Sequence, residues 1–165
     1  MSAADAQHAA EAGANLIGMI MFPRAKRALT VEQAKRVAEA ARAHGAEPVG
    51  VFVDEDAETI VRTAREADLK IVQLHGPASQ ASLASIPADV GVVFVVTITP
   101  DGSLSAPIPD PLPRPVDLFI IDAAKVPGES LKLDWSALPP RGLPAGAAWL
   151  LAGGLTADNV RGWCG

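Results

Sequence analysis

Cysteine is almost absent from this sequence of 165 residues, which holds a single one, Cys164. One cysteine excludes an intrachain disulfide and argues against a metal site built from thiolates. This usage is typical of proteins kept in a reducing, intracellular compartment. We therefore predict a cytoplasmic location, with a plastid as the alternative if a targeting segment precedes this sequence.

Long apolar runs and an excess of basic residues are also missing. No stretch approaches the roughly 20 apolar residues that span a bilayer. The first residues show neither the pattern of a secretory signal nor the Arg/Ser-rich character of a transit peptide. The net charge of −5 offers no basic surface to nucleic acid or to an anionic membrane. We therefore predict neither kind of partner.

Six short apolar runs are present instead, each of strand length and rich in Val, Ile and Leu. Because they show little polar alternation, they predict strands covered on both faces, as in a parallel sheet. The runs are Asn15–Phe22, Pro48–Val53, Lys70–Leu74, Gly91–Ile98, Leu118–Asp122 and Ala147–Ala152.

Helical patterns lie before the first run, between several others and after the last. The predicted helices are Ser2–Ala12, Val31–His44, Asp56–Ala67, Ser79–Ser85 and Thr156–Trp163. Thr30 and Gln33 form a capping-box pattern before the second helix, and Gly45 suits its end. Alternating strands and helices predict an α/β fold of right-handed βαβ units. Six strands fit either an open doubly wound sheet or an incomplete (β/α)₈ barrel, since complete barrels typically need about 250 residues.

Proline interrupts this alternation. Residues 100–115 contain six prolines, which block both helices and inner strands. We predict an extended surface loop there, in place of a fifth helix. With that loop included, residues 1–165 are predicted to form one domain.

Polar and glycine residues follow the apolar runs, where the carboxyl ends of parallel strands hold ligands. They are Arg24, Lys26, Arg27, Asp54, His75, Asp122, Lys125, Gly153 and Gly154. The cations suit a carboxylate or phosphate, and the paired glycines offer backbone N–H groups to a phosphate. Each feature also has a purely structural interpretation: a capping aspartate, a hydrogen-bonded histidine, a glycine turn or a solvated basic loop.

Taken together, several segments resemble those of phosphoribosylanthranilate isomerase, a (β/α)₈ TIM-barrel family of the ribulose-phosphate-binding type. They are EAGANLIGMIM, VGVFVDED, KIVQLHG, IIDAAKVPG, LDW and LLAGGLTADNV, in the family's order from about Ala4 to Val160. The most specific are QLHG, at residues 73–76, and LAGGLTADNV, at residues 151–160.

The resemblance implies an isomerase of tryptophan biosynthesis that acts on a small phosphorylated substrate. The family rearranges N-(5-phosphoribosyl)anthranilate to a carboxyphenylamino-deoxyribulose phosphate, with no metal and no cofactor. By resemblance, Asp122 is the general acid and Arg27 meets the anthranilate carboxylate. Gln73 and His75 form a pocket edge, and the pair Gly153 and Gly154 forms half of a phosphate site.

The resemblance also implies differences from the family. The family's first strand, with the cysteine that acts as general base, and its eighth strand have no counterpart in this sequence. The loop at Gly128–Lys132 lacks the family's paired glycines. We therefore expect the chain as written to be poorly active unaided. The alternatives are a non-catalytic module that binds a phosphorylated ligand or a partner, and another phosphate-binding α/β enzyme. The sequence does not predict the oligomeric state.

Overall fold

Strands and helices alternate along the part of the chain that the computed structural model describes, residues 1–123, 138–153 and 155. The helices are α1 (Ala3–Glu11), α2 (Val31–Ala43), α3 (Ala57–Glu66), α4 (Pro77–Ala81) and a 3₁₀ turn at Leu83–Ser85. The strands are β1 (Leu16–Ile20), β2 (Glu47–Phe52), β3 (Ile71–Leu74), β4 (Gly91–Ile98), β5 (Leu118–Ala123) and β6 (Trp149–Ala152).

All six predicted runs contain or overlap a strand. The predicted helix at residues 79–85 is instead two shorter pieces, α4 and the 3₁₀ turn, because a turn at Ser82 separates them. The predicted helix Thr156–Trp163 lies outside the described residues. In the described part of the chain, no helix is long and apolar enough to cross a membrane.

Hydrogen bonding joins the strands in chain order, from β1 to β6. The described ladders β1–β2, β2–β3, β3–β4 and β5–β6 are all parallel. In their register, Val51 pairs with Gln73, and Asp122 pairs with Ala152. The polar residues that follow neighbouring strands are therefore brought to the same end of each ladder.

The chain divides into two compact units. The first comprises Met1–Phe94 and Pro113–Val116, and the second comprises Val95–Leu112 and Asp117–Gly165. Strand β4 contributes residues to both. Fully buried Met19, Phe52 and Leu74 belong to the core of the first unit. Ile98 and Ile121 belong to that of the second.

Burial of the strands agrees in part with the prediction that both faces are covered. In β4, Val92 to Val96 are all buried, which confirms it for that strand. In β1, Ile17 and Met19 are buried, whereas Gly18 and Leu16 are exposed, Leu16 by 38%. The prediction is therefore wrong for β1, which packs through one face only among the described residues.

Short-range capping behaves as the sequence predicts. The Gln33 backbone N–H donates to Thr30 Oγ1 at 3.2 Å, and the Thr30 N–H donates to Gln33 Oε1 at 2.9 Å, which completes the capping box of α2. Asp56 caps α3 by accepting from the Thr59 N–H at 2.9 Å. This hydrogen bond lowers the pKa of the Asp56 carboxyl below its ordinary value.

Arg114, at the end of the proline-rich segment, is anchored within the first unit. Its guanidinium donates to the backbone carbonyls of Ile86 at 2.8 Å, Pro87 at 2.7 Å and Val90 at 3.0 Å. Charged donors make strong hydrogen bonds, and three carbonyls share this one side chain. Arg114 thus fixes the end of the segment to the chain that leads into β4.

Replacing Arg114 by methionine is expected to lower the free energy of unfolding by about 2–4 kcal/mol, because three carbonyls lose a charged donor while the aliphatic stem is kept. Urea unfolding followed by circular dichroism measures the change. The matched control is Arg36→Met, which removes an exposed arginine of α2 and should change stability by less than about 0.5 kcal/mol. Equal losses in the two variants would contradict the anchoring role.

Candidate active site

The loop that follows β1 carries Arg27 and is held by a series of short turns. The Ala25 N–H donates to the Phe22 carbonyl at 3.0 Å, and the Leu29 N–H returns to the Ile20 carbonyl at 2.9 Å. Since α2 begins right after this loop, both of its ends are fixed by regular structure. Arg27 is therefore presented from a defined backbone rather than from a free loop.

A partly open cavity of about 440 Å³ adjoins Arg27 in the first unit. Its described lining consists of Met1, Asp5, Gly18, Ile20 and Arg27. Its volume falls within the range of about 300–1,000 Å³ that small-molecule sites occupy. An arginine beside an apolar strand and a glycine suits an anion that is attached to an apolar group, such as an aromatic carboxylate.

A second arginine links this loop to the end of β2. Arg24 Nη2 lies 3.2 Å from Asp54 Oδ2, and the guanidinium lies 5.3 Å from the centre of the Phe22 ring. The side chains are 78% and 46% exposed, so solvent screening leaves the ion pair little net stabilisation. Its contribution is geometric, since it joins the loop after β1 to the loop after β2.

Gln73 and His75, from the QLHG segment, lie together at the carboxyl end of β3. Gln73 Nε2 and His75 Nδ1 are 3.2 Å apart, within hydrogen-bond distance. Gln73 is half-buried and His75 is exposed. The His75 backbone N–H donates to the Phe52 carbonyl at 2.9 Å, which ties this end of β3 to the end of β2.

The last residue of QLHG has a structural reason to be glycine. A Cβ on Gly76 would lie 2.4 Å from the Val53 carbonyl oxygen and 2.9 Å from Val53 Cγ1. The Ser79 N–H donates to the same carbonyl, so it cannot easily move aside. The sequence suggested a ligand edge at this motif and gave no sign of this close approach.

Asp122 and Gly153 meet in the second unit. Asp122 is half-buried in β5, opposite Ala152 of β6, and Gly153 follows at once with a φ of +85°. A Cβ on Gly153 would lie 2.5 Å from Asp122 Oδ1 and 2.8 Å from the Ala123 carbonyl oxygen. The carboxylate therefore rests against glycine backbone, in a space that a side chain would fill. Gly154 and Lys125 lie outside the described residues, as does the loop at 128–132.

Alanine at Gly153 is expected to destabilise the chain more than alanine at Gly146. Gly146 also has a positive φ, +74°, but an added Cβ there meets nothing within 4 Å. Both substitutions carry the left-handed backbone cost of about 1–2 kcal/mol. Gly153→Ala should lower the free energy of unfolding by about 1–3 kcal/mol more, because its added Cβ would crowd Asp122 and Ala123. Urea unfolding of both variants measures the difference, and equal losses would show that the close approach does not matter.

Among the described residues, no group of three or more His, Cys, Asp or Glu side chains is arranged to hold a metal ion. At the predicted strand ends, the first unit holds Arg27 beside a cavity and the Gln73–His75 pair, groups that can bind an anionic small molecule. The second unit holds the Asp122 carboxylate against Gly153, a group that can transfer a proton.

Comparison with known proteins shows which family the chain resembles. The family model described as N-(5'-phosphoribosyl)anthranilate (PRA) isomerase matches residues 1–164. The chloroplastic N-(5'-phosphoribosyl)anthranilate isomerase 1 of Arabidopsis thaliana is 38% identical over 159 residues, which are 96% of this chain and 58% of that protein. The enzyme of the same name from Chlamydia caviae is 30% identical over 156 residues, 94% of this chain and 72% of that protein. The chain thus spans little more than half the length of the plant relative.

Solved structures give the same result for the fold. A phosphoribosyl anthranilate isomerase from Thermotoga maritima is similar with a TM-score of 0.77 at 27% identity, over 98% of this chain and 77% of that one. Another such isomerase, in complex with reduced 1-(o-carboxyphenylamino)-1-deoxyribulose 5-phosphate, has a TM-score of 0.72 at 27% identity, over 98% of this chain and 75% of that one. These similarities and the parallel ladders confirm the predicted α/β fold class of the TIM-barrel type.

Proposed function

Because the chain belongs to the family of N-(5'-phosphoribosyl)anthranilate isomerases, we propose that it carries out the Amadori rearrangement of N-(5'-phosphoribosyl)anthranilate in tryptophan biosynthesis. The product is the carboxyphenylamino-deoxyribulose phosphate. The observation that carries the proposal is the Asp122 carboxylate against the Gly153 backbone, at the ends of two paired strands in a chain that matches the family model throughout.

Asp122 is the proposed general acid. Its carboxyl group donates a proton to the furanose ring oxygen as the bond from C1 to that oxygen breaks and a protonated imine forms between C1 and nitrogen. A base takes up the proton on C2 to give a neutral enolamine. C1 then gains a proton and the enol oxygen loses one, which gives the ketone. The Asp122 carboxyl group lies half-buried at a strand end, and general acid catalysis contributes roughly 10²–10⁴-fold to a rate.

Two further groups are proposed to hold the substrate. Arg27 binds the anthranilate carboxylate, which its position beside a cavity that Gly18 and Ile20 of β1 also line supports. Gly153 and Gly154 are proposed to offer backbone N–H groups to the phosphate, and the positive φ of Gly153, +85°, suits a turn of this kind. Gln73 and His75 are proposed to form the edge of the pocket, and their mutual contact supports a fixed edge.

The rearrangement moves hydrogen within one molecule, so the proposal requires no redox cofactor and no metal. The proposed partner is therefore the phosphorylated substrate alone. We also propose that the chain acts inside the cell, in the cytoplasm or, as the names of the plant relatives suggest, in a plastid.

Complementation of a strain that lacks the isomerase step tests the proposal. The 165-residue chain is expressed beside a version extended through its genomic flanks, and Asp122→Asn is introduced into each. Growth that depends on Asp122 in either version supports the proposed function. Absence of growth from both, together with binding of the reduced product analogue to the purified chain, would favour the alternative of a non-catalytic ligand-binding module.

A further inference from the structure

Ser79 is a fully buried hydroxyl in a short helix that contains no proposed substrate-binding residue. It is 0% exposed and lies in α4, just after the QLHG segment. Its Oγ accepts from the Gly76 backbone N–H at 3.2 Å. Its single proton is directed to two carbonyl oxygens, that of Gly76 at 3.0 Å and that of Phe52 at 3.1 Å.

These contacts surround the backbone of His75. The Phe52 carbonyl that accepts from Ser79 also accepts from the His75 N–H at 2.9 Å. Both polar groups of Gly76, the residue that follows His75, are bonded to the same hydroxyl. The His75 N–H is therefore bonded directly to the end of β2, and Gly76, on the other side of the His75 carbonyl, is connected to the same place through the Ser79 side chain.

We propose that Ser79 is a positioning residue for the pocket edge formed by Gln73 and His75. This inference rests on the proposed function for the role of that edge, whereas the positioning itself needs no substrate. A hydroxyl that fixes Gly76 and shares the Phe52 carbonyl sets the direction in which the His75 side chain leaves the backbone. That direction brings His75 Nδ1 within 3.2 Å of Gln73 Nε2.

The ring nitrogens of His75 report this positioning directly. In the full chain, ¹H–¹⁵N correlation spectra of the three histidines are recorded for the parent and for Ser79→Ala, with assignment by His75→Gln. The His75 ring signals should shift in S79A, while those of His8 and His44 stay in place. Unchanged His75 signals in a folded S79A chain would overturn the proposal.

Ser82→Ala is the matched control. Ser82 is 8% exposed and lies three residues further along, but its Oγ bonds only the Ala78 carbonyl, at 3.4 Å, among the contacts found for it. It should therefore leave all three histidine signals unchanged. If the His75 signals moved as far in S82A as in S79A, the proposal would be overturned. The shift would then follow from replacing any buried serine of the segment and not from the hydrogen bonds of Ser79.

Hydrogen exchange of the Gly76 amide keeps the proposal testable if S79A does not fold. In the parent chain this amide should exchange at least about 3–10-fold more slowly than an unbonded amide, the factor that one net hydrogen bond supplies. Exchange at the rate of an unbonded amide would overturn the proposal. Neither measurement depends on turnover, so a chain that fails complementation and still shows both signatures contradicts the proposed function alone.

Discussion

Replacing Asp122 by asparagine is expected to lower kcat/KM for the rearrangement by about 10²–10⁴-fold, because an amide of the same shape cannot donate the proton to the furanose ring oxygen. The half-buried side chain keeps its volume, so the fold should be retained. Steady-state kinetics with N-(5-phosphoribosyl)anthranilate, in the version of the protein that supports growth, measure the change. Circular dichroism checks the fold.

Asp89→Asn is the control for this loss. Asp89 is exposed and lies between the 3₁₀ turn and β4. Its replacement removes the same charge and should change kcat/KM by less than about threefold, since an exposed charge at this site is screened by solvent. If D122N kept the activity of the parent, the assignment of Asp122 as general acid would be wrong, whatever the family.

Gly76→Ala is expected to lower the free energy of unfolding by about 2–4 kcal/mol through overpacking. The added Cβ would lie 2.4 Å from the Val53 carbonyl oxygen, which is backbone and is bonded to the Ser79 N–H. The φ of Gly76 is −112°, a value that any residue adopts, so the cost comes from the close approach and not from the dihedral angle. Urea or thermal unfolding measures it.

Gly18→Ala separates that cost from the general effect of filling a glycine. A Cβ on Gly18 would meet Val51 Cγ2 at 3.7 Å, an ordinary van der Waals distance. Alanine within a strand is favoured over glycine by roughly 0.5–1 kcal/mol, so this variant should be neutral or slightly more stable. A loss in G18A comparable to that in G76A would contradict the explanation given for Gly76.

Much of the fold could be predicted because its signals are local. Each strand overlaps an apolar run, and the capping box of α2 joins Thr30 and Gln33, three residues apart. Boundaries were less accurate: β6 begins at Trp149, two residues after the run predicts. The exposed second face of β1 was not predicted, because composition does not show whether other segments of the fold lie over that face of a strand.

For the candidate site, the sequence named residues but not the contacts that they make. Spacing and family motifs picked out Asp122, Gln73 and His75, while nothing in the sequence paired Arg24 with Asp54 or pointed to Arg114 and Ser79. Arg114 bonds carbonyls that lie 24 to 28 residues earlier, and Ser79 bonds one that lies 27 residues earlier. Backbone carbonyls are the same at every position, so no sequence pattern marks the ones that a distant side chain reaches.

The sequence by itself determined the α/β class, the strand order along the chain and the types of residue at the strand ends. These depend on apolar periodicity and on capping within a few residues. Only the tertiary structure decided that Gly76 must lack a side chain, that the Asp122 carboxylate rests on Gly153, and that one buried hydroxyl joins β2 to the turn after β3. Those facts depend on distances of a few ångströms between segments far apart in the chain, which packing alone sets.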